Sequence, residues 1–310
     1  MSKLQLVRFT SSDTLLLPGL LYTPEQPTDE VALWLHGMGD NGIFYSPLLV
    51  NALGHSLTAH NIALFAFNNR GAHNMKILKI DDKSLPEDER SYLGGTYYEK
   101  IADCVYDING AVAYLKTRGF SKFSLMGHST GANKICAYHM RVKQNPFRKY
   151  LLAGPGDDSG LLYIELGEKK FWKALALAKK FLAVNQPMHI MPKVSGMHPF
   201  SAQAAADILD PDGPYNTFPF YEATKKRLGH KPLFQEFKKI DRQTLIIFGQ
   251  EDEYTLTTAG GANSALRILR EKMPKVTQAK SEFKLIEQSD HSFHGAETEF
   301  AETVTAWLRQ

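Results

Sequence analysis

Short apolar runs alternate with longer segments of helical periodicity along much of the chain. "KLQLVRF" and "TLLLPGLLYTP" flank the polar "TSSD" and predict a β-hairpin. "VALWLHG" and "IALFAFNNRG" are continuously apolar, which is typical of strands buried on both faces. Between these two strands, Ser46 as N-cap and Pro47 as the first helical residue predict the start of a helix. The alternation predicts an α/β protein with a mostly parallel central sheet and helices on both faces.

The same rhythm continues to about residue 157. The polar "AHNMKILKIDDKSLPEDER" predicts an exposed excursion, and "YYEKIADCVYDINGAVAYLKTRG" predicts an amphipathic helix. "KFSLMGH" and "KYLLAGPG" are two further predicted strands, with the helix "ANKICAYHMRV" between them. Near the C-terminus, "QTLIIFGQED" and "EFKLIEQSD" predict the last strands, with a helix near 262–272 between them and a final helix after them.

Residues 158–240 interrupt this pattern. They carry helical segments without obvious strands, among them "EKKFWKALALAKKFLAV" with a single apolar stripe. Ser201 precedes "AQAAADIL" and is the predicted cap of a short helix. We therefore predict a core made of residues 1–157 and 241–310, and an inserted helical cap made of residues 158–240.

Composition and charge narrow the class of protein. The 310 residues are 43% hydrophobic and 22% charged, with a net charge of +3, and the basic residues are scattered, so we expect no nucleic-acid partner. The N-terminus lacks the apolar core of a signal peptide, and no apolar run approaches the roughly 20 residues of a membrane span. Cys104 and Cys136 fall in predicted helices and are expected to be buried free thiols, which fits a cytoplasmic protein.

Candidate chemistry is concentrated first in "LMGHSTGANK", residues 125–134. Ser129 lies between Gly127 and Gly131, after a predicted strand and before a predicted helix. A sharp strand-to-helix turn lifts a serine above the sheet, and the close approach of the chain requires small residues two places on either side. The pattern predicts a nucleophilic serine; the alternative is an ordinary turn with a surface serine.

A serine nucleophile needs a base, held in turn by a carboxylate. Active sites of open α/β sheets lie beyond the carboxyl ends of the strands. The strand "TLIIFG" is followed by acidic residues at 251–253, and "FKLIE" is followed by His291 and His294. Ser129, Asp252 and His291 then occur in the order serine, acid, histidine that is expected of an α/β-hydrolase.

The chain resembles the α/β-hydrolase superfamily in its esterase, lipase and acyl-hydrolase branches. The residues that carry the resemblance are "LWLHGMGDNG", "NNRGAH", "LMGHSTGA", "LIIFGQEDEY" and "DHSFHG". "GHSTG" together with an inserted helical cap is similar to a branch that includes siderophore-ester hydrolases, and also to feruloyl-esterase-like enzymes. The resemblance implies the α/β-hydrolase fold over nearly the whole chain apart from the cap.

The resemblance also implies roles for individual residues. "DHSF" favours His291 over His294 as the base, and "GQED" favours Asp252 over its neighbours Glu251 and Glu253 as the acid. Some members of the superfamily supply the acid one strand earlier, which leaves a second candidate pair after "YLLAGPG", namely Asp157 and Asp158.

The same resemblance assigns the oxyanion hole to two backbone amides. One belongs to Met38, which follows His36 and Gly37, and the other to Thr130, the residue after the predicted nucleophile. We expect His36 to order this loop through hydrogen bonds rather than to take part in the chemistry.

Two rival interpretations come from other classes of protein. Gly37, Gly39 and Gly42 form a literal G-x-G-x-x-G after a strand, as in dinucleotide-dependent oxidoreductases, and Arg70 follows the next strand where a 2′-phosphate would lie. A hairpin before the first strand argues against this interpretation, which also leaves the candidate triad unexplained. The second rival is a ligand-binding protein that keeps the fold without catalysis.

The expected function is therefore hydrolysis of a carboxylic ester through an acyl-enzyme intermediate. A thioester or an amide would use the same three residues. We expect a small-molecule substrate, no cofactor and no metal ion, while the oligomeric state stays open. Aromatic residues of the predicted cap are expected partly to close it onto the sheet and partly to line an apolar pocket.

Overall fold

The structure is a computed structural model that describes residues 2–39, 47–192 and 199–310. Strands form where the sequence is continuously apolar or alternates in polarity. The strands in the described ranges are β1 (Lys3–Thr10), β2 (Leu16–Thr23), β3 (Glu30–Leu35), β4 (Ala63–Phe67), β5 (Lys76–Lys79), β6 (Ser91–Gly94), β7 (Lys122–His128), β8 (Phe147–Ala153), β9 (Gln243–Gly249) and β10 (Glu282–Ile286).

Eight of these strands form one sheet in the order β1-β2-β4-β3-β7-β8-β9-β10. The pairs from β4 through β10 are parallel, whereas β2 runs antiparallel to both of its neighbours. The predicted N-terminal hairpin is present, because β1 pairs with β2 from Lys3 opposite Thr23 to Thr10 opposite Leu16. The prediction of a mostly parallel central sheet is confirmed.

Helices connect the strands and cover both faces of the sheet. The α-helices in the described ranges are α1 (Pro47–Ala59), α2 (Cys104–Thr117), α3 (Thr130–Arg141), α4 (Asp158–Leu166), α5 (Glu168–Ala183), α6 (Ala202–Leu209), α7 (Phe220–Thr224), α8 (Glu253–Ala259), α9 (Ala262–Lys272), α10 (Lys275–Gln278) and α11 (Glu297–Leu308). Pro47 is the first residue of α1, as predicted, whereas its predicted cap Ser46 lies outside the described residues.

The apolar runs of the central strands serve two cores at once. Along β3, Leu33 packs into the core that contains α2 and α3, while its neighbour Trp34 packs into the core on the opposite face with α1 and α11. On the adjacent strand, Leu125 and Met126 divide between the two cores in the same way. A strand buried on both faces has no polar side, which is why these segments are continuously apolar.

Two predicted elements differ from the structure. The segment 72–90, predicted as an exposed excursion, contributes β5 to a separate two-stranded sheet with β6. The helix predicted from residue 97 begins only at Cys104, after two single turns of 3-10 helix. Glu99 and Lys100 between these turns have extended backbone, because the Glu99 carboxylate contacts the buried Lys134 at 2.6 Å.

The described part of residues 158–240 contains α4, α5, α6 and α7. In α5, Phe171, Leu175 and Ala178 of the predicted apolar stripe are buried. Ser201 caps α6 as predicted, since its hydroxyl accepts a hydrogen bond of 3.2 Å from the Ala204 amide. The division into a core and a cap at 158–240 stays a prediction.

Two predictions made from composition concern the state of the cysteines and membrane-spanning segments. Cys104 and Cys136 are buried and form no disulfide. Among the described residues, no helix is both long enough and apolar enough to cross a membrane.

Candidate active site

The turn that contains Ser129 is strained and tightly packed. Ser129 has φ +54° and ψ −124°, a conformation that costs on the order of 1–3 kcal/mol outside glycine. A Cβ atom on Gly127 would lie 2.4 Å from the backbone of Gly131, and one on Gly131 would lie 2.4 Å from the Leu35 carbonyl oxygen. The two glycines therefore let the chain pass close enough to present Ser129, half-buried, at the N-terminus of α3.

A histidine and an aspartate from two other strand ends form a buried pair. His291 Nδ1 lies 2.7 Å from Asp252 Oδ2, with side chains only 5% and 0% exposed. Asp252 also caps α8, because its Oδ1 accepts a hydrogen bond of 2.8 Å from the Thr255 amide. Burial opposes ionisation of Asp252, but the hydrogen bond and the charge of His291 outweigh it, so the pKa of Asp252 lies below its usual value. With Nδ1–H donating to Asp252, Nε2 is the ring nitrogen left to accept a proton.

Several neighbours hold the His291 ring and backbone in place. His128 Nε2 lies 2.8 Å from the His291 carbonyl oxygen and donates a hydrogen bond to it, because a carbonyl oxygen only accepts. Burial and the nearby His291 lower the pKa of His128 to about 3, so its ring is neutral. The Glu253 carboxylate accepts a hydrogen bond from the His291 amide at 3.2 Å. Tyr254 packs edge-on against the imidazole at 4.6 Å between ring centroids. The sequence interpretation missed these contacts, because none of them leaves a local motif.

The competing histidine and carboxylates lie elsewhere. His294 is 75% exposed and pairs with Asp290 at 2.7 Å, which raises the pKa of His294. Glu251 is exposed, and the side chain of Glu253 bonds the His291 backbone rather than its ring. The geometry favours His291 and Asp252 over these alternatives.

The second pair of acid candidates takes two different positions. Asp157 caps α4, accepting hydrogen bonds from the amides of Gly160 at 2.8 Å and Tyr221 at 2.6 Å. Asp158 lines the same pocket as His291, but its carboxylate is not bonded to Nδ1, which Asp252 occupies. The contact with His291 Nδ1 is therefore made by Asp252.

Ser129 and His291 open into one pocket of about 400 Å³. His291 Nε2 is buried and makes no hydrogen bond to any described residue, so the Ser129–His291 hydrogen bond is not closed. Catalytic hydrogen bonds are often long without substrate and tighten in its complex. The pocket is lined by strand-end residues and by residues of α4 and its neighbours: Met38, Gly39, Asn74, Thr96, Ser129, Gly156, Asp157, Asp158, Leu161, Leu162, Glu165, Phe200, Ile208, Tyr254, His291 and Ser292.

Of the two residues predicted for the oxyanion hole, Met38 lines this pocket and Thr130 follows Ser129, which lines it. Met38 follows β3 and lines the pocket, and Thr130 is the buried first residue of α3, where the helix leaves its first amides without intrahelical acceptors. His36 orders the loop, because its Nε2 accepts a hydrogen bond of 3.2 Å from the Asn69 amide while Nδ1 donates to the Gly37 carbonyl oxygen at 2.7 Å. Burial and the charge of Lys134 lower the pKa of His36 to about 3.

The arginine of the dinucleotide interpretation is engaged in buried ion pairs. Arg70 is 3% exposed, and its guanidinium bonds Asp107 at 2.7 Å and Asp13 at 2.8 Å, which leaves it unavailable to a phosphate. Gly42 lies outside the described residues. Within the described ranges, no group of three or more His, Cys, Asp or Glu residues is arranged to hold a metal ion.

The family was identified by comparison with family models. A model described as "Protein of unknown function (DUF1749)" matches residues 91–309, which is more than half of the chain. The chain belongs to the DUF1749 family. The part that matches DUF1749 includes Ser129, Asp252 and His291, whereas Met38 lies before it. No curated protein matches the chain.

Solved structures share the fold of this DUF1749 protein over nearly its whole length. The α/β hydrolase GrgF from Penicillium sp. sh18 has a TM-score of 0.60 at 16% identity, covering 99% of this chain and 98% of its own. Est1E from Butyrivibrio proteoclasticus, solved with ferulic acid bound, has a TM-score of 0.59 at 13% identity, covering 97% of each chain. The Pyrococcus furiosus esterase PF2001 has a TM-score of 0.56 at 15% identity, covering 99% of this chain and 91% of its own. The predicted α/β-hydrolase fold is confirmed.

Proposed function

We propose that the protein is a serine hydrolase that cleaves carboxylic esters of small molecules. One observation carries this proposal: the strained Ser129 and the buried His291–Asp252 pair meet in one pocket. The pocket of about 400 Å³ falls within the usual range of small-molecule sites. The esterase PF2001 and the ferulic-acid complex of Est1E, which share the fold, support an ester substrate.

In the proposed reaction, Ser129 Oγ attacks the ester carbonyl carbon while His291 Nε2 accepts the hydroxyl proton. The C–O bond breaks as Nε2 returns this proton to the leaving alkoxide, and the acyl group stays on Ser129. Water then attacks the acyl-enzyme with Nε2 again as the base, releasing the acid and restoring Ser129. Asp252 holds Nδ1–H and stabilises the imidazolium in both halves of the reaction.

In this proposal, the backbone amides of Met38 and Thr130 stabilise the negative charge that develops on the carbonyl oxygen by donating hydrogen bonds to it. Backbone donors need no particular side chain, which explains how a methionine serves at position 38. Thr130 adds the positive end of α3, where amides point outward and favour an anion. Removing one oxyanion donor typically costs about 10²–10³ in turnover, so these amides are expected to supply a large share of catalysis.

The test compares hydrolysis of p-nitrophenyl acetate and butyrate by the wild type, Ser129→Ala and Ser292→Ala. Ser292 lines the same pocket beside His291 but has no role in the proposal, which makes it a matched control. Ser129→Ala is expected to lower kcat/KM by about 10⁴-fold or more, because the nucleophile acts as a unit with its base. Ser292→Ala is expected to stay within about threefold.

A fluorophosphonate probe gives a second readout that does not depend on substrate choice. The wild type and Ser292→Ala should be labelled at Ser129, and Ser129→Ala should not. Comparing kcat/KM for the butyrate ester with kcat/KM for its thioester and anilide analogues then shows which of the three acyl bonds the protein cleaves best. Full activity or labelling in Ser129→Ala would rule out the proposal, and a wild type that binds the esters without labelling or turnover would indicate a ligand-binding protein.

A further inference from the structure

The wall of the pocket contributed by α4 carries an excess of negative charge. Asp158 and Glu165 line it, and the described lining residues include no lysine or arginine. The chain as a whole has a net charge of +3, so this negative region is local and does not reflect the average surface. Fixed charge of one sign in a cleft raises the local concentration of ligands of the opposite sign.

Asp157 and Asp158 are neighbours in sequence but differ in what their carboxylates do. Both oxygens of Asp157 accept backbone hydrogen bonds, from Gly160 and Tyr221, and are fully used by the fold. Asp158 Oδ2 is buried and has no well-formed hydrogen bond within the described residues. Asp158 also lines the pocket, where no lysine or arginine among the described lining residues neutralises it, so its carboxylate is available to a cationic ligand.

Two hydroxyls lie behind Asp158. The Tyr215 hydroxyl lies beside Asp158 and Thr130, yet Tyr215 Oη and Thr130 Oγ1 are both buried without a well-formed hydrogen bond in the described ranges. Thr130 directly follows Ser129, so this polar group lies next to the proposed nucleophile. We call Asp158, Tyr215 and Thr130 the Asp158 subsite.

Apart from Asp158 and Glu165, the residues that line the pocket from α4, from α6 and from the segment before α6 are apolar. Leu161, Leu162, Phe200 and Ile208 line the pocket around the Asp158 subsite. A carboxylate only accepts hydrogen bonds, and it repels another carboxylate. The wall therefore matches an aliphatic group that ends in a positively charged hydrogen-bond donor.

We propose that the substrate is an ester that carries a protonated amine, which Asp158 binds at the Asp158 subsite while Glu165, exposed at the rim, attracts it. This proposal rests on the proposed function, and it makes Asp158 a specificity-determining residue.

The protonation of Asp158 fits this role. Burial raises the pKa of Asp158 to about 6, against the lowering effects of His291 and Tyr215, so the carboxylate is mostly ionised at neutral pH. The titratable groups that act on it come from several elements and are His291, Tyr215, Lys134, Asp157 and Tyr254. A bound ammonium group would add to the groups that favour the ionised form.

The test uses two isosteric esters, 4-nitrophenyl 6-aminohexanoate and 4-nitrophenyl heptanoate, which differ by an ammonium in place of a methyl group. The wild type should prefer the amino ester in kcat/KM. Asp158→Asn should remove about 10- to 100-fold of activity on the amino ester, the usual value of a hydrogen bond to a charged group, and change the heptanoate within about threefold. Glu302→Gln, which removes an exposed carboxylate that does not line the pocket, should leave the preference unchanged.

The pH dependence of the ester preference and a substitution of Glu165 give two further readouts. The ratio of kcat/KM for the two esters should fall below about pH 6 as Asp158 is protonated, whereas protonation of His291 affects both esters alike and cancels in the ratio. Glu165→Gln should lower the preference only about two- to threefold, and less so at high salt, because exposed charges are screened.

The outcomes separate this proposal from the proposed function. Ser129-dependent hydrolysis of both esters with equal kcat/KM overturns the amine proposal and leaves the hydrolase proposal standing. If neither ester is cleaved, the amine proposal is tested by binding. Saturation-transfer NMR then compares hexylammonium chloride with 1-hexanol on the wild type and on Asp158→Asn. Preferential binding of hexylammonium that is lost in Asp158→Asn supports the subsite without catalysis, and equal binding overturns it.

Discussion

A Cβ atom on Gly154 would lie 3.1 Å from Cε1 of His291 and 3.2 Å from its Nδ1. The turn after β8 therefore passes directly beside the imidazole, and Gly154 adopts φ +53° to do so. The absence of a side chain at this position leaves room for the ring and for Asp252, whose Oδ2 would be 3.6 Å from the same Cβ.

Gly154→Ala is expected to displace the ring by a few tenths of an ångström and to lower kcat/KM on p-nitrophenyl butyrate by up to about 10-fold, because misplacement of a catalytic group by about 1 Å costs about 10²-fold. Gly167→Ala is the matched control, since Gly167 has φ +72° but no atom within 4 Å of its Cβ position. Both variants should lose roughly 1 kcal/mol of unfolding free energy from backbone strain. Equal activity in the two variants would contradict the proposed contact.

Within the described residues, two His–Asp pairs have the same 2.7 Å contact, one buried and one exposed. Asp252→Asn, in the buried pair, should lower kcat by roughly 10³- to 10⁴-fold, because it removes the charge that fixes the tautomer and stabilises the imidazolium. Asp290→Asn, in the exposed pair with His294, should change kcat within about threefold.

The buried pair also has a stability signature. The pKa of Asp252 is lowered in the folded protein, so its ionised form stabilises the fold above the pKa of the unfolded state, and this contribution is lost as the pH falls through the folded-state pKa. The difference in unfolding free energy between the wild type and Asp252→Asn should therefore shrink on acidification, as measured by denaturant melts from pH 7 to pH 3. A difference that stays constant would contradict this assignment.

Asp158 is expected to destabilise the fold at neutral pH. Its pKa of about 6 lies above the usual 3.8, so the folded state favours the protonated form and loses stability as the pH rises from about 4 through about 6. Asp158→Asn should therefore raise the unfolding free energy by up to about 3 kcal/mol above pH 6 and change it little at pH 4. Urea melts at both pH values, with Glu302→Gln as the control, measure this. A gain of the same size at pH 4 would point to packing rather than to charge.

Arg70 is expected to matter for folding and not for nucleotide binding. Arg70→Met leaves the buried Asp107 without its partner and should lower the unfolding free energy by about 3–5 kcal/mol. The exposed pair Arg267–Glu271 is the control, and Arg267→Met should stay within about 0.5 kcal/mol. Thermal melts measure both, and a protective shift of the wild type by NADP would contradict the structural role of Arg70.

The sequence predicted best those elements whose surroundings are uniform. β3 is apolar from Val31 to Leu35, and β7 is buried from Phe123 to His128, because both faces of these strands are covered. The hairpin of β5 and β6 was missed because only one side of β5 is buried: Leu78 is 5% exposed but Ile77 is 73% exposed, in a segment that is otherwise mostly polar. The start of α2 was wrong because a distant partner, Lys134, fixes the backbone at Glu99, and local periodicity carries no information about such a contact.

The candidate site follows the same rule. Ser129, Asp252 and His291 stand directly after strands, and the carboxyl ends of parallel strands meet at one edge of the sheet, so their proximity follows from order alone. The positions of His128 and Gly154 against His291 depend on how the turn after β8 and the loop after β10 approach each other. That approach is a property of the packed molecule, which the single sequence does not display.

The pocket draws its reactive groups and its walls from separate parts of the chain. Ser129 and His291 stand at strand ends, whereas Asp158, Leu161, Leu162, Phe200 and Ile208 belong to the stretch between β8 and β9. Substitutions within that one stretch change much of the pocket wall and thus which molecules enter, while the strand ends keep their register. In evolution, such a chain could change its substrate range by altering this one segment while the candidate catalytic residues stay unchanged.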